Sequence, residues 1–477
     1  MPGHSGRRCR LFWLLASCLC AAFLCLRSEL ATQPEEEPSP LPVLQLSLAF
    51  LLCYSLIKSW CPVCPHQPCP VRAPSAHVAR KVVLESYYEQ QLRISPHVLG
   101  HSRAHVSQIV TELLKVGKCE QEGSTLAFRG DFLQIGSTYE QHQTNSLDCF
   151  DLLVPIKVPQ ALQLEPTFHM GPQSLPSSLE GSVICRVKPC IKPEWARCQR
   201  EFIESFCVRF GKQRALSSAQ VLRWFHSKVL RCLNVIRFQC EQRCSISLAP
   251  LKDQLILKLL PRADYVCCHI SLSVRLIPAL HVGDSIFLVA QPSCRSELQL
   301  PALSPGTLWA VYLCKHERKF LNWLKVQTPN NSCHLKCLQI MKALRDLGCR
   351  EFDQQFSVQW NTILCSYNMK TALFHLLLKG PLDAWDDRFL MDRLEDLVLF
   401  WRERLQKQEL MHFFLGNRNV PDFLTVPRKI KEVLPVNLLA GFDAALLDLV
   451  SFQLLKTWNC AHLIMKLNNH KHLPRNC

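Results

Sequence analysis

Cys149-Phe150-Asp151-Leu152-Leu153-Val154-Pro155-Ile156-Lys157-Val158, together with Phe128 to Ile135 and the Gly136-Ser137 turn that precedes it, sets the architecture of this chain. Both runs are rich in aliphatic and β-branched side chains and bracket a polar loop, so they read as strands. Side chains on a strand alternate between faces. Cys149 and Asp151 therefore share one face, while the neighbouring Asp148 points away unless a bulge re-aims it.

Working outward, Val106, Ile109, Val110, Leu113 and Leu114 recur at i, i+3, i+4 and i+7 between His101 and Lys118, the spacing of an amphipathic helix. Residues 160–182, rich in Pro, Ser and Gly, read as a surface connection. A helix from Ser218 to Leu233, capped by Ser217 or Ser218, and strands over Gln254–Leu260 and His269–Leu276 complete an α+β lobe. After Pro305 the pattern turns helical, with helices expected over Lys315–Leu324, Cys333–Leu347, Ile363–Lys379, Asp386–Phe414 and Asn437–Leu467. Leu390, Leu394, Leu397, Trp401 and Leu405 fall on one stripe at helical spacing, which marks the core of a helical lobe rather than a cofactor box.

The 477 residues are 48% hydrophobic and 20% charged, which excludes both a mini-protein scaffold and wholesale disorder. A net charge of +16 favours acidic partners such as phosphates, nucleic acid or anionic lipid without choosing among them. The 27 cysteines are an odd number in a chain too long for a small disulfide scaffold. Cys207, Cys232, Cys267 and Cys268 sit in apolar runs, where a thiol behaves as a small buried hydrophobe. Cys61-Pro-Val-Cys64 is a lone pair with only Cys69 and His66 nearby, short of a zinc pattern; lipidation beside a membrane is the competing reading. No metal is expected. No GxxxxGK[ST], HExxH or GxSxG motif is present.

Arg7, Arg8 and Arg10 precede an apolar run from Leu11 to Leu26, the pattern of a secretory signal or signal anchor. An acidic, proline-rich spacer with Glu35, Glu36 and Glu37 leads to a second apolar run, Leu41 to Ile57, closed by Lys58. The positive-inside rule places the spacer outside and Lys58, Arg72, Arg80 and Lys81 in the cytosol. Either the first run is cleaved and the second is a type I single-pass anchor, or both persist as a hairpin; a second run that is only a buried helix is the alternative to both. The expected organisation is a signal peptide or signal anchor (1–30), an extracytoplasmic spacer (31–41), a transmembrane helix (42–58) and a cysteine- and proline-rich juxtamembrane linker and helix (59–100). A nucleotidyltransferase-like lobe (101–304) and a helical lobe (305–477) follow.

Gly136-Ser137 followed by Phe150-Asp151-Leu-Leu-Val resembles the nucleotidyltransferase signature. Four later runs occur in the right order for the Mab-21 family, which is related to cyclic GMP-AMP synthase. They are Ser273-Val-Arg-Leu-Ile-Pro-Ala, Cys337-Leu-Gln-Ile-Met-Lys342, Cys365-Ser-Tyr-Asn-Met-Lys-Thr-Ala-Leu-Phe-His375 and Trp385-Asp-Asp-Arg. Together they cover residues 100 to 470, and the anchored front end further resembles the inositol trisphosphate receptor-interacting-protein-like branch of that family.

The resemblance implies a site in which three carboxylates hold two magnesium ions. Here Cys149 and Arg275 stand at two of the carboxylate positions and only Asp151 remains, so no catalytic residue is assigned. Arg275 is expected to pair with Asp151 and occupy the space of a metal. Gly136, Ser137, Lys342 and Ser366 match phosphate-contacting positions and Tyr367 matches a base-stacking one. Each also has a plain reading, as turn residue, solvated charge, helix cap or core packing. The base-contacting arginine of the relative falls on Ala310, and its zinc-bearing insertion is missing between Trp323 and Cys337.

These readings lead to a membrane-anchored, catalytically inactive nucleotidyltransferase-like protein, a cytosolic interaction or regulatory module with no cofactor. By resemblance it modulates calcium release by the inositol trisphosphate receptor, in the plasma membrane or endoplasmic reticulum, and no nucleic acid is expected as partner. A phosphate- or nucleotide-binding module is the alternative, and an active nucleotidyltransferase a further one.

Overall fold

The computed structural model describes residues 74–119, 126–144, 149–160, 162–168, 181–189, 196–210, 213–251, 254–262, 270–283, 285–290 and 306–471. The signal, spacer, transmembrane segment, Cys61, Cys64, Cys69 and Asp148 lie outside them. Among the described residues no helix is long and apolar enough to cross a membrane.

The described residues open with α1 (Pro74–Tyr87), a π turn (Tyr88–Leu92) and α2 (Pro96–Cys119), then β1 (Ala127–Phe128), β2 (Leu133–Ile135) and β3 (Phe150–Lys157). β4 (Leu162–Phe168), β5 (Ser182–Pro189), α3 (Ala196–Phe206), β6 (Cys207–Phe210) and β7 (Gln213–Leu216) follow. Next come α4 (Ser218–Cys240), β8 (Cys244–Leu251), β9 (Gln254–Pro261), β10 (Leu272–Val282), β11 (Ile286–Ala290) and β12 (Leu308–Tyr312). The remainder is helical: α5 (Cys314–Gln327), α6 (His334–Cys349), α7 (Gln354–Ile363), α8 (Ser366–Leu377), α9 (Leu390–Gln406), the short α10 (Arg428–Lys431) and α11 (Ala444–Lys471). This is a mixed α+β fold with a helical C-terminal region, which fits a nucleotidyltransferase-like fold.

Among the described residues the strands form one 12-stranded sheet in the order β1-β3-β10-β11-β12-β5-β7-β6, with β2 on β3, β4 on β5 and β8-β9 on β10. β3 and β10 run parallel and every other pair is antiparallel. Alternation divides the two central strands. Phe150, Leu152, Val154 and Ile156 of β3 and Leu272, Val274, Leu276 and Leu280 of β10 join the core beneath α2 and α4. The opposite face carries Asp151 and Leu153 beside Arg275, Ile277 and Ala279, and its apolar members pack with Ile135, Phe287 and Cys314.

All five apolar positions that define α2 are fully buried, and the helix starts at Pro96, five residues before the periodicity does. α4 is capped by Ser217, whose hydroxyl accepts from the Gln220 amide. The expected surface connection over 160–182 contains a strand instead. β4 pairs with β5 from Leu162 opposite Pro189 to Phe168 opposite Val183. Its seven residues hold a proline and a glutamate, which blur the alternation that would announce it.

In the helical region the Leu390–Leu405 stripe is wholly buried, but the helix ends at Gln406 rather than Phe414. α11 starts at Ala444 rather than Asn437, because the Asp443 carboxylate accepts the amides of Ala445 and Leu446 there. The expected helix over Ile363–Lys379 is broken at Leu364–Cys365, and Ile363 closes the separate α7, which Asp353 caps.

Candidate functional site

The site forms where β3 and β10 lie side by side. Parallel pairing sets Asp151 directly opposite Arg275, and β2 sets Ile135 opposite Asp151 on the other edge. The Arg275 guanidinium donates from Nε to Asp151 Oδ1 at 2.8 Å and from Nη2 to Oδ2 at 2.7 Å, a bidentate pair. Cys149 Sγ donates to Asp151 Oδ1 at 3.3 Å. Burial works against the charge of Arg275, but the Asp151 carboxylate outweighs it and holds the guanidinium above its ordinary range. Burial and then the Asp151 charge push the Cys149 thiol up to about 12, so this sulfur stays protonated at neutral pH. Both oxygens of the one remaining carboxylate thus face donors. A guanidinium cannot ligate a cation, and a thiol is a poor partner for a hard divalent ion.

Gly136 closes β2 with φ +79°, and a Cβ there would come within 2.8 Å of Asp151 Oδ2. Both the left-handed backbone and the close approach require glycine. The chain then turns on itself, with the Tyr139 and Glu140 amides donating to the Gly136 carbonyl and the His142 amide to that of Ser137. The Ser137 hydroxyl donates to Gln143 Oε1 within this loop.

The loop over residues 137–144 is fastened to the helices by a buried polar network. Lys342 of α6 is 3% exposed and donates to His142 Nδ1 at 2.7 Å and to the His142 carbonyl at 3.1 Å. His142 Nε2 in turn donates to Glu140 Oε2 at 3.0 Å, which fixes the tautomer. Lys370 of α8 bridges Glu140 at 2.9 Å and Glu317 of α5 at 2.6 Å. Gln339 Nε2 donates to the Gln143 carbonyl at 2.7 Å and its Oε1 accepts from Tyr88.

Burial, reinforced by the Arg345 and Lys370 charges, lowers the Lys342 ammonium to about 7. His142 is lowered to about 4, first by burial and then by the Lys342 charge, against the opposing pull of Glu140. Burial alone would raise Glu140, yet Lys370 and His142 hold it well below the usual carboxylate range. Lys370, against its own burial, is held high by Glu317 and Glu140.

Tyr367 is half-buried in α8 and its hydroxyl meets His412 Nε2 at 2.7 Å. Because His412 Nδ1 accepts the amides of Phe414 and Leu415, the proton sits on Nε2 and the Tyr367 oxygen accepts it. Ser366 is the first residue of α8 and half-buried. Ala310 lies on β12 opposite Val289. The sequence expectation of Lys342 as either a phosphate contact or a solvated charge is corrected on its second branch, since the side chain is buried and hydrogen-bonded within the chain.

Glu140, His142, Glu317 and Lys370 escaped the sequence reading. A signal was there. Glu317 precedes Phe320 and Leu324 at i+3 and i+7, and Lys370 precedes Leu373, Phe374 and Leu377 at i+3, i+4 and i+7. Opposite charges at core phase on two helices imply that they pair with each other. Among the described residues no group of His, Cys, Asp and Glu could hold a metal ion.

Residues 333–428 match the family model described as the Mab-21 protein HhH/H2TH-like domain. Over 388 residues the chain is 26% identical to the inositol 1,4,5-trisphosphate receptor-interacting protein of Mus musculus, covering 76% of this chain and 67% of that one. It is 28% identical over 375 residues to the inositol 1,4,5-trisphosphate receptor-interacting protein-like 1 of Rattus norvegicus, covering 74% and 64%. To cyclic GMP-AMP synthase of Mus musculus it is 23% identical over 366 residues, covering 72% and 66%. The chain spans about two thirds of the length of the curated relatives it matches.

Proposed function

We propose that this chain, which carries a Mab-21-type C-terminal domain and is related to the inositol trisphosphate receptor-interacting proteins, is a non-catalytic nucleotidyltransferase-like interaction module. The observation that carries the reading is the bidentate Asp151–Arg275 pair with Cys149 beside it. Two-metal phosphoryl or nucleotidyl transfer needs carboxylates aimed at a shared pair of cations. Here the protein's own cation fills that place, and the loop that would face a nucleotide is tied to α6 and α8 by Lys342, Gln339 and Lys370.

The module works at a membrane, tethered by the apolar run ending at Ile57 with the described region on the cytosolic side. The apolar runs before Lys58 and the basic residues after it support this topology. The names of the relatives point to an inositol trisphosphate receptor-type partner. A short tether raises the local concentration of such a module near a membrane partner.

The test joins two readouts on the full chain. Incubation with magnesium or manganese and each nucleoside triphosphate is expected to release no pyrophosphate, and the chain is expected to co-purify with the receptor from membranes. Metal-dependent pyrophosphate release abolished by Asp151→Asn would overturn the non-catalytic reading. Absence from receptor complexes would overturn the assigned partner.

A further inference from the structure

The last helix, α11, leaves a line of large apolar side chains in water. Leu449 is 44% exposed, Phe452 63%, Leu463 54% and Leu467 64%. At roughly 100° per residue these four, with Lys456 and Cys460 between them, fall within an arc of about 80° and extend along about 27 Å of helix. The other side of the helix is its buried one, with Leu447, Val450, Leu454, Ala461 and Met465 packed into the helical core. An apolar stripe of this length on an exposed face marks a contact surface.

The stripe reads nearly the same in both directions. About a midpoint at Thr457–Trp458, Leu449 mirrors Leu467, Phe452 mirrors Leu463 and Lys456 mirrors Cys460. Exposed Asp448 mirrors exposed Lys466, and both lie on the same flank of the stripe. In a two-fold antiparallel helix pair, the same flank of each copy ends up on the same side of the contact, so opposite charges equidistant from the midpoint meet twice.

We propose that α11 is the interface of a symmetric homodimer in which two copies of this helix pack antiparallel, crossing near Thr457–Trp458. Leu449 and Phe452 of one copy cover Leu467 and Leu463 of the other, and Asp448 pairs with Lys466 across both ends. Lys456 lies near the crossing with its stem along the apolar surface and its ammonium in water. A lipid surface would accept the leucines and lysines, but it would set Asp448, next to Leu449, against anionic headgroups. A second copy satisfies both the apolar stripe and the acid.

The mass of the full chain in detergent, by light scattering and sedimentation, tests this. The wild-type chain is expected at twice the chain mass. Phe452→Glu with Leu463→Glu, both exposed and so without effect on the core, is expected at one chain mass with an unchanged circular dichroism spectrum. Asp448→Lys or Lys466→Asp alone is expected to weaken association by about tenfold, and the two together to restore most of it. Lys456→Leu is expected to strengthen it. A monomeric wild type, a dimer indifferent to Phe452→Glu with Leu463→Glu, or a combined charge swap no better than its parts would each overturn the proposal. A monomer whose binding to phosphatidylserine vesicles depends on Phe452 and Leu463 would overturn it too, and assign the stripe to lipid.

Discussion

Arg275 stands on a strand whose neighbours are valine, leucine and isoleucine, with its guanidinium turned onto the carboxylate across the ladder. Removing one partner of such a partly buried pair costs more than the pair contributes, because the remaining charge keeps its desolvation penalty. Arg275→Ala is therefore expected to lose about 2–4 kcal/mol in urea unfolding, while Asp151→Asn with Arg275→Met stays within about 1 kcal/mol of wild type. Equal losses in both variants would contradict a structural role for the pair.

Lys342 supplies a second residue-level test. Its ammonium titrates near 7 in the folded chain and near its ordinary value, well above that, when unfolded. Between those values the unfolded chain holds the extra proton, so stability rises with pH, by up to about 1.4 kcal/mol per unit from this group, and the penalty of burying the charge is complete below pH 7. The slope difference between wild type and Lys342→Met over pH 7 to 8.5 measures it. Parallel slopes would mean that Lys342 titrates normally.

At the level of elements, legibility followed local pattern. The Val106–Leu114 periodicity and the Leu390–Leu405 stripe each fix a helix because several residues within one segment repeat the same burial. β4, β6 and β7 were not legible: the proline and glutamate of β4 blur its alternation, and β6 and β7 are only four residues each. The bidentate pair at Arg275 could be anticipated because strand alternation and a motif place both residues on one face. The Lys342–His142 contact could not, since its partners are 200 residues apart in sequence and meet only when the loop docks on α6.

α2 also carries a buried close approach. A Cβ on Gly117 would meet the Phe128 ring at 2.3 Å and Cys232 Sγ at 3.1 Å. Gly117→Ala is expected to destabilise the chain by about 1–3 kcal/mol through overpacking, although alanine is the better helix former. A gain in thermal stability would show that the contact between α2, β1 and α4 is looser than described.

For the whole molecule, the sheet that carries the Asp151–Arg275 pair and the helical region that matches the Mab-21 model are joined by a buried ionic network in which Lys370 bridges Glu140 and Glu317. On the proposed reading, internal pairing stands in place of metal-dependent chemistry, which suits a surface that binds rather than a site that turns over. The most direct measurement is thermal stability of the full chain with magnesium and each nucleoside triphosphate, beside a Cys149→Asp, Arg275→Asp variant that restores the carboxylates. A ligand at one hundred times its dissociation constant adds about 2.7 kcal/mol, well within reach of the method. The wild-type chain is expected to show no magnesium-dependent nucleotide shift, and the variant to be weakened without magnesium and stabilised by it. A magnesium-dependent nucleotide shift in the wild type that disappears in Asp151→Asn would contradict the account.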